Sequence, residues 1–205
     1  MKITLEWLKE KNACPEGVYW FKNYANNSAV KRPDAIIVLK CLMKEDHLDW
    51  ANWTAVRVME RKQYLAYSIF AAEQVLDIFE KKYPTDDRPR KAIESARECL
   101  KNDTETNRNS AYAYAYAYTC TYADFAAASA ASAASFAVDS AAAYAASAAA
   151  FAAAAADSAV DSAYADAAAA DSAVTSAYAD ADDARNKMNL KILKYGLKLI
   201  EGDEI

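Results

Sequence analysis

Between Asn109 and Ala184 the chain contains no Lys, no Arg, no Gly, no Pro, no Leu and no Ile. Each absence excludes something. Without cations the stretch repels nucleic acid, so direct DNA or RNA binding through it is not expected. Without Gly or Pro, any corners must be marked by Asp and Ser as N-caps, at Asp139-Ser140, Asp157-Ser158 and Asp171-Ser172. Elsewhere the chain lacks an apolar run of the eighteen or more residues that a membrane span needs. Its first residues, MKITLEWLKEKN, are too charged for a signal peptide, so a soluble cytoplasmic protein is expected. The four cysteines, Cys14, Cys41, Cys99 and Cys120, lie far apart without CxxC spacing, which predicts reduced, buried thiols rather than a metal site. One His and no phosphate loop leave an enzyme the least supported class, and no cofactor or metal is expected.

What fills the stretch is Ala, Ser, Tyr and Asp. Residues 153–167 read AAAADSAVDSAYADA and residues 167–181 read AAAADSAVTSAYADA, differing only at Asp161 and Thr175. A fourteen-residue period drifts only about 40° around a helix, so Val160 stacks above Val174, Tyr164 above Tyr178 and Asp157 above Asp171. Ala is the strongest helix former, and helix is favoured here even without long apolar side chains. One helix over the whole stretch would run about 110 Å, so two to four helices folded on one another are expected. The start, SAYAYAYAYTCTYADF, alternates like a strand. As a helix it puts Tyr112 and Tyr116 on one stripe and Tyr114, Tyr118, Tyr122 and Phe125 on another, and the flanking sequence favours helix.

Charge is unevenly distributed. Residues 1–108 carry a net +2, residues 109–184 a net -9 and residues 185–205 a net +2, within a total of -5. The acidic middle reads either as a helix surface kept soluble by Asp or as a face that attracts basic proteins.

Before this stretch the pattern is that of ordinary helices. Thr4 caps a first helix with Ile3, Trp7 and Leu8 turned inward, and Pro15 suits the first turn of a second, carrying Val18, Trp20, Phe21 and Tyr24. A third follows Pro33-Asp34 with Ile36, Ile37, Val38, Leu39 and Leu42. Residues 45–53 gather His47, three acids and two Trp, read as capping and solvation at a helix start rather than chemistry. Leu65, Ile69, Ala72, Leu76, Phe79 and Tyr83 form a core-facing seam over 63–83, ended by Pro84. Pro89 then opens a helix with Ile93, Ala96 and Leu100 inward. Lys101 to Asn109 reads as a loop, and Ala184 to Glu201 as a final amphipathic helix. Met188, Ile192, Leu193, Leu199 and Ile200 face inward there, with Lys191, Lys194 and Lys198 outward. Gly196 either weakens that helix or admits a close neighbour. The fold class is all-α: a helical bundle with a small helical N-terminal unit, residues 1–60, and a helical domain, 61–205, that contains the Ala/Tyr/Asp-rich repeat.

The segment Ala71–Leu76, continued by Phe79-Glu80-Lys81-Lys82-Tyr83-Pro84-Thr85-Asp86-Asp87-Arg88-Pro89-Arg90-Lys91-Ala92-Ile93-Glu94-Ser95-Ala96 and an Ala-rich tail, resembles the helical immunity proteins of the immunity-five-like group. The resemblance runs from about Arg61 to the C-terminus. Members often carry His in the Ala-rich part, and this chain has none there, so no role of those histidines is carried over. Asn12–Phe21, with Leu48-Asp49-Trp50, resembles a short unit attached to phage and mobile-element proteins. Together the resemblances imply a phage-borne, non-enzymatic accessory protein that inhibits a bacterial defence.

Three function classes follow. In the first, the acidic face blocks a basic, nucleic-acid-binding surface of a bacterial defence effector or toxin, with Asp replacing phosphates and Tyr supplying rigid contact area. Tyr112, Tyr116, Asp157, Asp161, Tyr164, Asp166, Asp171, Tyr178 and Asp180 are the residues expected to carry it. In the second, a pocket between Ala-lined helices holds a small molecule, with Arg88 or Arg90 as polar anchors. In the third, Ala faces pack between chains of a homo-oligomer.

Overall fold

Helix starts and stops in the N-terminal part are set by individual side chains. In the computed structural model, which describes residues 1–28, 32–82, 84–85, 87–107 and 174–202, helix α1 spans Leu5–Glu10 and Thr4 Oγ1 accepts from Trp7 N at 3.2 Å. The chain leaves α1 through Asn12 at φ 55°, and Ala13 N donates to Leu8 O at 2.9 Å. Asn tolerates that left-handed geometry because its short polar side chain bonds locally. Helix α2, Pro15–Asn27, has Pro in its first turn and Cys14 as its cap. Helix α3 is Ala35–Lys44, and Asp46 at φ 61° turns the chain into α4, Leu48–Val58.

One non-helical feature ties this region together. Lys2 and Asp34 form an isolated antiparallel bridge, with Ile3 N donating to Pro33 O at 3.0 Å and Ala35 N to Met1 O at 2.9 Å. Among the described residues the secondary structure is otherwise helical, as the all-α expectation requires.

Helix α5, Arg61–Lys82, stops before Pro84, and α6 is Arg88–Lys101 with Pro in its first turn. Gln63 Oε1 accepts from Glu60 N at 2.8 Å, half of a capping box that fixes the start of α5. Leu65, Ile69, Ala72 and Leu76 are buried as the seam predicts, but so are Tyr64, Ala66, Tyr67, Ser68 and Ala71. The wider burial arises because α5 is packed between α6 on one side and the last helix, α7, Val174–Glu201, on the other. Arg97 reaches Glu73 and Arg90 forks onto Glu80 across the α5–α6 interface. Arg90 is thus engaged by Glu80 while about half-exposed.

The loop expected from Lys101 to Asn109 is shorter than its polarity suggests. Thr104 Oγ1 accepts from Asn107 N at 3.2 Å, and a new helical turn begins at 105–107. Thr and Asn count as loop residues by composition, yet as a cap they initiate a helix.

Helix α7 lies against α3, α4 and α5, so the expected division near residue 60 is bridged by one shared core. It begins at Val174, ten residues before the expected start at Ala184. Ile192, Leu193 and Leu199 are buried and Lys191, Lys194 and Lys198 exposed, as predicted. Gly196 is the point of closest approach. A Cβ there would lie 2.6 Å from Tyr67 Cε2, 2.9 Å from Tyr67 Cδ2 and 3.0 Å from Met59 Cε. The missing side chain lets the Tyr67 ring slide beneath α7, and its hydroxyl donates to Asn52 Oδ1 on α4. One residue of α5 therefore joins three helices. Burial pushes the Tyr67 phenol far above its ordinary value, so it stays a neutral donor.

Candidate functional site

Of the residues expected to meet a partner, Tyr112, Tyr116, Asp157, Asp161, Tyr164, Asp166 and Asp171 lie outside the described residues, as do the expected helix corners and Cys120. Tyr178 and Asp180 fall in the first turns of α7, with their side chains outside the described set.

The described part contains a site that the sequence reading passed over. All four tryptophans of the chain, Trp7, Trp20, Trp50 and Trp53, sit in the N-terminal helices, and three of them wall a cavity of about 310 Å³. Its floor is apolar and comes from three directions: Leu8 of α1, Phe21 of α2, and Val38 and Leu42 of α3, all buried. The mouth is polar, formed by Asn12, Cys14 and Asp49, all exposed. Trp20 and Trp50 also line a groove on the surface, together with Tyr19, Tyr24, Glu16 and Glu45.

Local structure holds these rings in place. The Trp20 indole N–H donates to Glu45 Oε2 at 2.7 Å, joining α2 to the α3–α4 turn, and Tyr24 stacks on Trp20 with centroids 5.5 Å apart. Desolvation by burial is the main cause of the upward shift of the Tyr24 phenol. His47 stacks on Trp50 at 4.3 Å and meets the edge of Trp20 at 6.2 Å. Trp53 is held from two sides, by the edge of Trp7 at 5.9 Å and by the Arg57 guanidinium 3.9 Å from its ring centroid. Arg57 is half-buried in doing so, and burial pushes its guanidinium down to about 10.

Two expectations change here. His47 occupies the cap position of α4 but its side chain makes no capping hydrogen bond; the ring is used for aromatic stacking instead. The cysteines are not uniformly buried: Cys99 is buried, Cys41 is half-buried and Cys14 is exposed. Cys14 is held at the surface because its Sγ accepts from Gly17 N at 3.3 Å, the role usually filled by Ser or Asp at a helix start.

The clue to the cavity was present in composition. Confinement of every Trp to the first 53 residues marks an aromatic cluster, but Trp20, Trp50 and Trp53 converge only through the α2–α4 packing, which no local period encodes. Among the described residues no group of three or more His, Cys, Asp and Glu side chains is placed to hold a metal ion, and no helix is long and apolar enough to cross a membrane.

In comparisons with known proteins the chain matches no family model, no curated protein and no solved structure. The resemblance to immunity proteins therefore rests on the motif residues of 71–96 with the Ala-rich tail, and that to the phage-associated unit on Asn12–Phe21 with Leu48-Asp49-Trp50, alone.

Proposed function

We propose that this chain is a non-catalytic binding protein whose acidic segment occupies a basic, nucleic-acid-binding surface of a bacterial protein. The observation that carries the reading is the charge pattern: nine Asp and no Lys or Arg over residues 109–184, in a chain whose remaining parts are slightly basic. A surface of regularly spaced carboxylates competes for a cleft built to hold phosphates, and the interleaved tyrosines add rigid contact area at low entropic cost. The motif resemblance supports reading such a protein as a phage-borne inhibitor of a bacterial defence, a CRISPR effector included, or as a toxin-neutralising immunity protein. The partner is a protein, with no direct nucleic-acid contact and no membrane, and the carriers are Asp157, Asp161, Asp166, Asp171 and Asp180 with the Tyr rows.

The test is affinity capture from a host lysate followed by titration of the captured partner. Binding is expected to weaken at least about tenfold between 50 and 200 mM salt, and by a similar factor when Asp157, Asp161, Asp166 and Asp171 are changed together to Asn. An interface indifferent to both changes rules the reading out.

A further inference from the structure

Tightly packed interiors leave few voids larger than a water molecule, so an opening of about 310 Å³ reaching into the core of a small helical unit calls for an occupant. Its size falls at the lower end of the range for small-molecule sites. An apolar group suits it better than water or an anion. The inner end is closed by Ile3, Leu8, Phe21, Val38 and Leu42, and Thr54 is the one buried residue of the lining with a hydrogen-bonding side chain. The walls include the indoles of Trp20, Trp50 and Trp53, aromatic surface of the kind that packs against a ring and attracts a cation. Among the described residues the one charged group at the mouth is the Asp49 carboxylate, and Glu16 and Glu45 line the groove that shares Trp20 and Trp50 with the cavity. Among the described residues no Lys or Arg lines either the cavity or the groove, and Arg57 is occupied over Trp53.

We infer that this cavity binds an arylalkyl amine: an apolar ring inserted among the tryptophans, with its ammonium group held at the mouth beside Asp49. The ring takes the apolar floor, where a charge would be desolvated without a partner. The ammonium stays at the exposed end, where the carboxylate and the indole faces both favour it. An arylalkyl carboxylate of the same shape would fill the same floor but place its charge against Asp49, and is rejected. The site lies wholly within residues 3–54, in helices α1 to α4 and the segments beside α1, and does not rest on the acidic-segment reading.

The test uses the full chain and two probes with the same apolar body and opposite charge, 4-phenylbutylamine and 4-phenylbutyrate. Neither absorbs where tryptophan is excited, so the indoles that wall the cavity report occupancy directly. The amine, with about eleven non-hydrogen atoms, is expected to give a saturable change in tryptophan emission with a Kd on the order of 0.1 mM. The carboxylate is expected to bind at least about tenfold more weakly. Asp49→Asn, at an exposed position, should leave the melting temperature unchanged and bring the two probes to within about threefold of each other. Ala13→Leu, which puts added bulk into the cavity, should abolish the response to the amine. The inference is overturned if neither probe acts on the wild-type chain at about a hundred times the expected Kd. It is equally overturned if the carboxylate binds as well as the amine, or if folded Ala13→Leu responds like the wild type.

Discussion

Helix α7 is one continuous helix made from two unlike sequences. Its first part, 174–184, is the end of the Ala/Ser/Asp repeat and contains no Leu, Ile, Lys or Arg; its second, 185–201, buries Ile192, Leu193 and Leu199 and exposes four lysines. The helix runs across the change in composition without a break. Backbone hydrogen bonding and the low entropic cost of Ala continue a helix on their own, whereas joining that helix to a core takes large side chains and room for them. The second part also contains Gly196, the poorest helix former of the two segments, at the centre of its packing. Local propensity and tertiary packing thus oppose each other within one element, and substitutions can show which prevails.

Gly196→Ala separates the two with the largest expected effect, because they predict opposite signs. Propensity alone would make the variant more stable by about 1 kcal/mol. The added Cβ would meet the Tyr67 ring at 2.6 Å, and Tyr67 is enclosed on every side at 1% exposure, so it has nowhere to move. We expect net destabilisation of about 2–3 kcal/mol in urea unfolding. A gain in stability would mean that α7 and α5 are further apart than described.

Tyr67→Phe keeps the ring under Gly196 and removes only the hydroxyl that reaches Asn52. Asn52 is buried at 2% exposure, so its amide oxygen loses a partner without gaining water. A loss of about 1–3 kcal/mol is expected, from the cost of a buried acceptor left unpaired. Restoring stability by the double change Tyr67→Phe with Asn52→Leu would show that the penalty is the orphaned amide rather than lost packing.

How far these features were legible in the sequence depends on the range over which they are encoded. Thr4 as a cap, Pro15 and Pro89 in first turns, Pro84 as a stop and the Leu65–Leu76 seam are local, and the structure has them where the residues put them. The burial of Tyr64, Tyr67 and Ser68 was not legible, because a single-face period assumes one neighbour and α5 has two. The start of α7 was misplaced because a change in composition was read as a change in structure. The flanking acids of His47 suggest a helix start and hence capping, while the Trp50 ring that it stacks on is a local neighbour three residues along the same helix, a pairing that helix spacing does offer. The tryptophan cavity was invisible for a different reason: its walls come from helices separated by a turn and a whole intervening helix.

The weakest expected effect sits at the opposite extreme from Tyr67, at the exposed bridge between Lys2 and Asp34. Lys2 Nζ donates to Asp34 Oδ2 at 2.8 Å, and that hydrogen bond is the main reason the Asp34 carboxyl lies below its ordinary value near 3.8. A carboxyl depressed by folding stabilises the folded chain above its unfolded value and loses that contribution as the pH falls through the lower, folded value. Asp34→Asn should therefore unfold slightly more easily than the wild type at neutral pH, with the gap closing as the pH drops below about 3.8. Asp34 makes no side-chain cap hydrogen bond to α3, so Asn does not disturb the cap, and the gap reports charge alone. Both partners are near half-exposed, so added salt should shrink the gap. A gap constant across pH would mean that the backbone bonds from Ile3 and Ala35, rather than the ion pair, hold the N-terminus to the start of α3.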